Sequence, residues 1–233
     1  LIQDRSFLYI TFLCVAFYAA VFPFIQYAPD LLINKFGFSN SLPAECPKLS
    51  LLGSEALGNA GIFVVFFLFG IAFPLLPAYI KNRRKKWLTL SGTAILFVGF
   101  ISLFGEPLSY WLKNGAKTAA LIPLGTILFT PVFGRLIDKR GKAATMMMLG
   151  SGLLIFSHLS LSVFNNLLLC YLGLLSLGIA FSLVPAAMWP SVAKIVPEHR
   201  LGTAFATMFT IQNYGFGALN KLIGKVVDWT NPA

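Results

Sequence analysis

The segment AATMMMLGSGLLIFSHLSLSVFNNLLLCYLGLLSLGIAFSLVPAAMWPSVA, residues 143–193, contains no Asp, Glu, Lys or Arg. A lipid bilayer has a hydrocarbon core about 30 Å thick, which a helix of roughly 20 apolar residues crosses. The segment is too long for one crossing, and Asn165-Asn166 supplies a polar turn between two. It therefore predicts a membrane protein whose consecutive helices are joined by short connections.

The composition of the whole chain agrees with this. Only 11% of its residues are charged and 57% are hydrophobic, whereas a soluble domain carries roughly a quarter charged residues. The uncharged runs are continuous, which argues against the alternating pattern of a membrane β-barrel and against a soluble protein. We predict an all-α, polytopic membrane helix bundle with seven transmembrane helices, at residues 6–28, 57–80, 87–105, 117–135, 143–164, 167–190 and 201–221.

The net charge of +10 comes from basic residues clustered at the ends of these spans. With seven alternating spans, twelve Lys and Arg residues fall on one side and six on the other. Basic residues are enriched on the cytoplasmic side of membranes, so we assign the more basic loops to the cytoplasm. The topology accounts for the charge, and we expect no nucleic-acid partner. We expect an integral protein of the lipid bilayer, with a bacterial inner (plasma) membrane as the default host.

The sequence GRLIDKRGK, residues 134–142, follows the fourth predicted span. It resembles the cytoplasmic signature loop of the major facilitator superfamily of transporters. Gly134 would permit close approach of a neighbouring helix, Gly141 a tight turn, and Asp138 an ion pair or a helix cap. The resemblance implies that this loop holds two helices together when the transporter is open to one side of the membrane. The alternative is an ordinary basic turn. The implied gating residues are Gly134, Asp138, Arg140, Gly141 and Lys142.

Two further stretches narrow the resemblance. Residues 189–204, WPSVAKIVPEHRLGTA, together with Ile211-Gln212-Asn213, look like the tenth-to-eleventh helix region of the superfamily branch that contains the lysosomal dipeptide transporter. Residues 18–24, YAAVFPF, resemble the seventh helix of that branch. The resemblance implies secondary active or facilitative transport of a small polar organic solute by alternating access. Peptides or amino acids are the substrate class that it suggests.

The position of the signature-like loop defines the expected domain organisation. If the first span matches family helix seven, this loop should follow the next span, but it follows the fourth. Residues 56–116 are therefore expected to form an inserted helical hairpin, which preserves the orientation of the later spans. We interpret residues 1–233 as a C-terminal transmembrane half with helices resembling seven to eleven. On this interpretation, we expect the N-terminal half, which would be the partner of this chain, and the last helix to lie outside residues 1–233.

Polar and aromatic side chains deep inside spans are the candidates for a solute site, because such transporters bind solutes near the bilayer midplane. Several have alternatives: a stripe of aromatic residues can simply pack, and amides can form interhelical hydrogen bonds. An unperturbed histidine side chain changes charge near neutral pH, so the two roles open to His158 are to carry a coupling proton or to pack. The candidate substrate-binding residues are Tyr18, Phe22, Gln26, His158, Trp189, Gln212 and Asn213.

The sequence contains no motif for a cofactor, a metal or an enzymatic reaction. No Walker loop or HExxH helix occurs, and Cys14, Cys46 and Cys170 have neither metal-binding nor disulfide-framework spacing. We therefore expect no cofactor, no metal and no enzymatic activity. A non-transporting membrane receptor or scaffold, or an inactive transporter fragment, is the alternative to a transporter.

Overall fold

A computed structural model describes residues 4–47 and 50–230, and these residues form helices with no β-strand. The helices are α1 (Arg5–Phe36), α2 (Glu55–Tyr79), α3 (Arg83–Leu112), α4 (Gly115–Ala119), α5 (Leu121–Arg140), α6 (Ala143–Val163), α7 (Leu167–Ile195) and α8 (Leu201–Thr230). Within the described residues, five segments are long and apolar enough to cross a membrane: α1, α3, α4 with α5, α6 and α7. The prediction of an all-α membrane bundle is confirmed, and α2 and α8 occupy the two other predicted spans.

Several helices extend beyond the ends that were predicted for the spans. Helix α1 continues through Pro29 to Phe36, where Gly37 closes it in the left-handed conformation with φ of 70°. Helix α8 includes Asp228 and runs to Thr230, so it extends past residue 221, where the seventh predicted span ends. Charged residues mark where a helix leaves the hydrocarbon, whereas capping residues mark where it ends.

Helix α7 is the centre of the bundle and packs against α5 on one side and α6 on the other. Glycines bring these helices together. A Cβ added to Gly178 of α7 would lie 3.3 Å from the carbonyl oxygen of Ile122 in α5. A Cβ added to Gly150 of α6 would lie only 2.4 Å from Cγ2 of Val184 in α7. Such contacts matter because helices in lipid associate through close packing rather than through the hydrophobic effect.

Helices α2 and α3 form a hairpin with an apolar cluster of its own, built around Ile62, Phe100 and Leu108. The two ends of this segment meet at one point. The backbone N–H of Ser39 donates to the carbonyl oxygen of Lys113 at 2.9 Å, and the N–H of Gly115 donates to the carbonyl oxygen of Ser39 at 3.0 Å. The chain therefore leaves the core after Ser39 and returns to the same place.

Substituting Gly150 with Ala should destabilise the bundle, because the new methyl group would collide with the buried, β-branched side chain of Val184. We expect the free energy of unfolding to fall by about 1–2 kcal/mol, since overpacking outweighs the better helix propensity of Ala. The measurement is equilibrium unfolding in detergent micelles, followed by circular dichroism. The matched control is Gly152→Ala in the same helix, where an added Cβ meets nothing within 4 Å. Equal effects of the two substitutions would contradict the packing argument.

Candidate functional site

Aromatic rings from three helices meet where α1, α7 and α8 come together. On α1, the rings of Tyr18 and Phe22 stack with centroids 5.3 Å apart. Phe181 of α7 meets both of them edge-on, at 6.1 Å from Tyr18 and 5.8 Å from Phe22. Trp189, near the end of α7, lies 6.4 Å from Tyr18 and stacks on Phe209 of α8 at 4.8 Å. We call these rings the aromatic junction.

Polar groups lie at the edge of the aromatic junction. The indole Nε1 of Trp189 donates to the hydroxyl of Tyr18 at 3.3 Å. One turn away on α1, the thiol of Cys14 donates to Oε1 of Gln212 on α8 at 3.3 Å, and both side chains are buried. Gln212 therefore forms the interhelical hydrogen bond that was one of its two proposed roles. Its position beside the junction also leaves the solute-binding alternative open.

The structure brings together four of the seven candidate substrate-binding residues, namely Tyr18, Phe22, Trp189 and Gln212. Gln26 and Asn213 are exposed, and the side chain of neither forms a hydrogen bond to another described residue. A four-residue spacing did not place Gln26 in the junction, because each step of four residues drifts by about 40° around a helix, and Gln26 is two steps beyond Tyr18.

His158 lies on α6, apart from the aromatic junction. Its Nδ1 is 3.0 Å from the carbonyl oxygen of Leu154, and its ring packs edge-on against Phe24 of α1, with centroids 5.2 Å apart. A carbonyl oxygen only accepts hydrogen bonds, so the neutral ring carries its proton on Nδ1. His158 also lines a mostly apolar cavity of about 440 Å³ between α1, α6 and α8. These contacts are those of a packed histidine.

A larger cavity of about 790 Å³ adjoins the His158 cavity, and Tyr27 and Leu31 line both. At its wall, Nζ of Lys35 donates to the carbonyl oxygens of Leu161 at 2.8 Å and Ser162 at 2.5 Å. A cation at the carboxyl end of a helix satisfies free carbonyls and complements the helix dipole. Sequence reasoning counted Lys35 only as a loop charge and missed this contact between α1 and α6.

Sequence reasoning also missed Cys14 and Phe181. Cys14 lies four residues before Tyr18, and the spacing of Cys14, Tyr18 and Phe22 places all three on one helix face. Phe181 precedes Trp189 by two helical turns, which gave a weaker signal. Both residues were passed over because a thiol and a phenyl ring inside a predicted span are ordinary packing groups.

Residues 134–140 of the signature-like loop form the last two turns of α5, and Gly141 and Lys142 join α5 to α6. Gly141 has φ of 66°, and its N–H donates to the carbonyl oxygen of Ile137 at 2.7 Å, so the tight turn predicted at Gly141 is present. A Cβ added to Gly134 would meet nothing within 4 Å, so no helix of the described chain makes the close approach expected there. Asp138 and Arg140 are exposed.

The expected pairing or capping by Asp138 is also not made within the described residues. Helix α6 begins after Lys142 without a side-chain cap. Arg135 was expected beside Asp138, but its guanidinium stacks over the ring of Tyr79 at 4.2 Å from the centroid and donates to the Tyr79 hydroxyl. An aromatic face and a hydroxyl acceptor together hold an arginine well. The Arg135–Tyr79 contact ties the end of α5 to the end of α2.

Comparisons with known proteins agree with this fold. Residues 108–219 match the family model of the Major Facilitator Superfamily. Lysosomal dipeptide transporter MFSD1 of Gallus gallus is 39% identical over 215 residues, which cover 76% of this chain and 48% of that protein. The protein of the same name from Homo sapiens is 36% identical over 124 residues, covering 50% of this chain and 26% of that protein. No solved structure matches the chain.

A third relative is Probable transporter MCH2 of Saccharomyces cerevisiae, 25% identical over 134 residues, which cover 53% of this chain and 27% of that protein. The chain spans about half the length, or less, of each of these relatives. The helix bundle and the family match define a membrane protein of the transporter class, and the relatives are named as transporters rather than enzymes. The chain is a major facilitator superfamily protein, and it resembles the branch of the lysosomal dipeptide transporters.

Replacing Tyr18 with Ala should destabilise the bundle, because Tyr18 is only 8% exposed and contacts both α7 and α1 rings. We expect the free energy of unfolding to fall by about 3 kcal/mol, as for other large buried aromatic side chains. Tyr9→Ala is the matched control, since Tyr9 lies on the same helix but is 73% exposed. Its effect should stay below about 0.5 kcal/mol. Unfolding in detergent micelles measures both, and a similar loss in both variants would show that the junction contributes no packing energy.

Proposed function

We propose that this chain forms the C-terminal transmembrane half of a secondary active or facilitative transporter. Its substrate would be a small polar organic solute, with dipeptides or amino acids as the favoured class. The observation that carries the proposal is the aromatic junction, where α1 and α7 place the polar atoms of Tyr18 and Trp189 among aromatic rings, with Gln212 of α8 bonded to Cys14 one turn of α1 away. The names of the relatives MFSD1 and MCH2 support transport, and the name MFSD1 supports a dipeptide substrate.

The chemistry of the junction suits such a solute. A peptide or amino acid needs hydrogen-bond donors and acceptors for its polar groups and an apolar surface for its side chain. Transporters of this type bind near the middle of the bilayer, between two helical halves. One wall of that path would consist of α1, α7 and α8, and a companion N-terminal half would supply the other. Pro23 in α1 and Pro185 in α7 allow both helices to bend.

The signature-like loop is the proposed latch of alternating access. Asp138 and Arg140 are exposed and form no ion pair within the described residues, so both are free to engage the companion half. Gly141 holds the turn, and Lys142 keeps it on the cytoplasmic side. Gly134 provides the space for a helix of the companion half to approach the end of α5. The latch would form in one access state and separate in the other.

The membrane that we propose is an internal membrane of a eukaryotic cell. The relatives named above are vertebrate and yeast proteins, and two of them are named as lysosomal. The default expectation of a bacterial inner membrane has no support from these relatives. The basic loops after α2 and α5 would face the cytoplasm, in accordance with the preference of Lys and Arg for that side.

Substituting Gln212 with Leu should weaken solute binding, because the side chain then offers no polar group beside the junction. We expect the apparent affinity for an unmodified dipeptide to fall about tenfold, the scale of one or two lost hydrogen bonds. The intact transporter that contains this chain would be purified, and binding measured as dipeptide-dependent thermal stabilisation. His158→Gln serves as the comparison, because His158 packs against Phe24 outside the junction. We expect the affinity of the His158→Gln variant for the dipeptide to stay within about twofold of the wild type, because the contacts that this substitution removes do not involve the solute.

The same preparation in proteoliposomes distinguishes a transporter from its alternatives. Uptake of a radiolabelled dipeptide that also stabilises the protein supports transport. Stabilisation without uptake would favour a non-transporting receptor or scaffold. If no dipeptide or amino acid either stabilises the protein or enters the vesicles, the proposed substrate class is wrong. We expect His158→Gln to retain uptake, and near-complete loss of uptake in a folded His158→Gln variant would show that His158 is essential for transport.

We further propose that residues 56–116 are an inserted hairpin, because their helices have a separate apolar cluster and leave and rejoin the core at Ser39. Replacing residues 41–112 by two glycines should therefore give a chain that inserts and folds. Monodisperse elution in detergent and a helical circular dichroism spectrum measure this. The matched control removes a different hairpin, α5 with α6, at residues 121–163. That deletion also preserves topology but strips both neighbours from α7, so it should aggregate. Aggregation of both variants would contradict the insertion.

A further inference from the structure

The turn between α2 and α3 has a concentration of charge that orients the chain in the membrane but takes no part in the proposed solute site. Residues 81–86, KNRRKK, contain five basic residues and no acidic one, and all of these side chains are exposed. Oδ1 of Asn82 accepts hydrogen bonds from the backbone N–H groups of Arg84 at 2.9 Å and Lys85 at 3.3 Å. This N-cap fixes the start of α3. We call residues 81–86 the basic turn.

The basic turn lies at the boundary between water and lipid. Trp87 and Leu88 follow directly and are 61% and 65% exposed, and they begin the apolar surface of α3. Tryptophan is enriched at the headgroup level of membranes. Since the rise of a helix is about 1.5 Å per residue, the basic side chains stand within one or two turns of Trp87. Long Lys and Arg side chains at this depth reach the lipid headgroups.

The basic turn also adjoins the signature-like loop. Tyr79, two residues before the turn, holds Arg135 of α5 through the stacking contact at 4.2 Å. Beyond Arg135, the loop carries Lys139, Arg140 and Lys142, all exposed, with Asp138 as its one acidic residue. The two segments therefore form one basic surface at the same end of the bundle, fixed across the Arg135–Tyr79 contact.

We propose that the basic turn binds the headgroups of anionic phospholipids, and that the Arg135–Tyr79 contact places the bound lipid beside the signature-like loop. Clusters of Lys and Arg next to a membrane span attract anionic lipid headgroups, and this attraction declines with ionic strength. A free phosphate ion has similar chemistry. A phospholipid is favoured because its phosphate is already held at the depth of the turn. The proposal requires only that the chain is in a membrane, and it does not depend on the solute.

The test uses the intact transporter that contains this chain, purified and reconstituted in phosphatidylcholine vesicles with a trace of spin-labelled lipid. Electron spin resonance gives the fraction of label that the protein immobilises. We expect spin-labelled phosphatidylserine to associate about tenfold more strongly than spin-labelled phosphatidylcholine with the same acyl chains. For the wild-type chain, raising sodium chloride from about 0.05 M to about 0.5 M should reduce this preference several-fold. Equal association of the two lipids in the wild type would overturn the proposal.

The triple variant Arg83→Gln/Arg84→Gln/Lys85→Gln localises the effect. It retains Lys81 and Lys86, so cytoplasmic charge remains after α2. We expect the preference for phosphatidylserine to fall at least about fivefold, because several headgroup contacts are lost together. The salt dependence of the wild type is measured without any substitution, so it tests the proposal even if this variant does not fold.

The matched control removes three basic residues from the same side of the membrane, at Arg5, Lys194 and Arg200, each changed to Gln. Its preference should stay within about twofold of the wild type, because these residues lie outside the basic turn. If the control and the triple variant lose the preference equally, the turn is not a site and its charge only orients the chain. Sodium phosphate at matched ionic strength should displace no more lipid than sodium chloride, and stronger displacement would mean that the turn binds free phosphate instead.

Discussion

The glycine contacts on both sides of α7 are the constraint on which the helix bundle depends. Inside a bilayer, helices gain little from burying apolar surface against each other, because the lipid chains are equally apolar. What holds them is the number of close atomic contacts, and small residues increase that number. Gly178 meets the α5 backbone and Gly150 of α6 meets Val184, so α7 is held from both sides. A fixed α7 in turn fixes the positions of Phe181 and Trp189, the rings that it contributes to the aromatic junction.

The contacts of α1 with α8 and with α7 differ from the glycine contacts that hold α7 between α5 and α6. Helices α1 and α8 are joined by the buried bond between Cys14 and Gln212 and by the approach of Gly215 to Val15. Across the junction, α7 meets them through aromatic rings. Rings that stack or meet edge-on keep favourable geometry over centroid distances of roughly 4.5–7 Å, whereas a glycine contact tolerates little displacement. The junction is therefore a boundary at which small shifts of one helix group against another keep the ring contacts favourable. A solute site at such a boundary would respond directly to that movement.

The sequence was sufficient to predict the helices but not the packing of their faces. Uncharged runs locate membrane-spanning helices reliably, because a helix satisfies all of its own backbone hydrogen bonds and few other backbone structures can do so in lipid. The tight turn at Gly141 was equally predictable, because a positive φ favours glycine. Residue type alone did not separate Gln212, which is buried beside the junction, from Asn213, which is exposed, because adjacent residues differ by about 100° around a helix. The contact of Arg135 with Tyr79 was beyond prediction, since it joins segments 56 residues apart in the chain.

That contact shows how a hairpin closed at its base still affects the rest of the bundle. A pair of helices can be added to a membrane protein at little structural cost, because its backbone needs no partner and the chain returns to the side from which it left. The bonds between Ser39 and residues 113 and 115 isolate α2 and α3 at one end. At the other end, however, Tyr79 stacks with the arginine that begins the signature-like loop. If that loop changes its contacts between access states, the end of α5 must carry α2 with it or break a cation–π contact that is worth about 0.5–1 kcal/mol at an exposed site. Under the proposed alternating access, the hairpin would act on the equilibrium between those states through this contact, the more strongly the more firmly lipid headgroups hold its basic end.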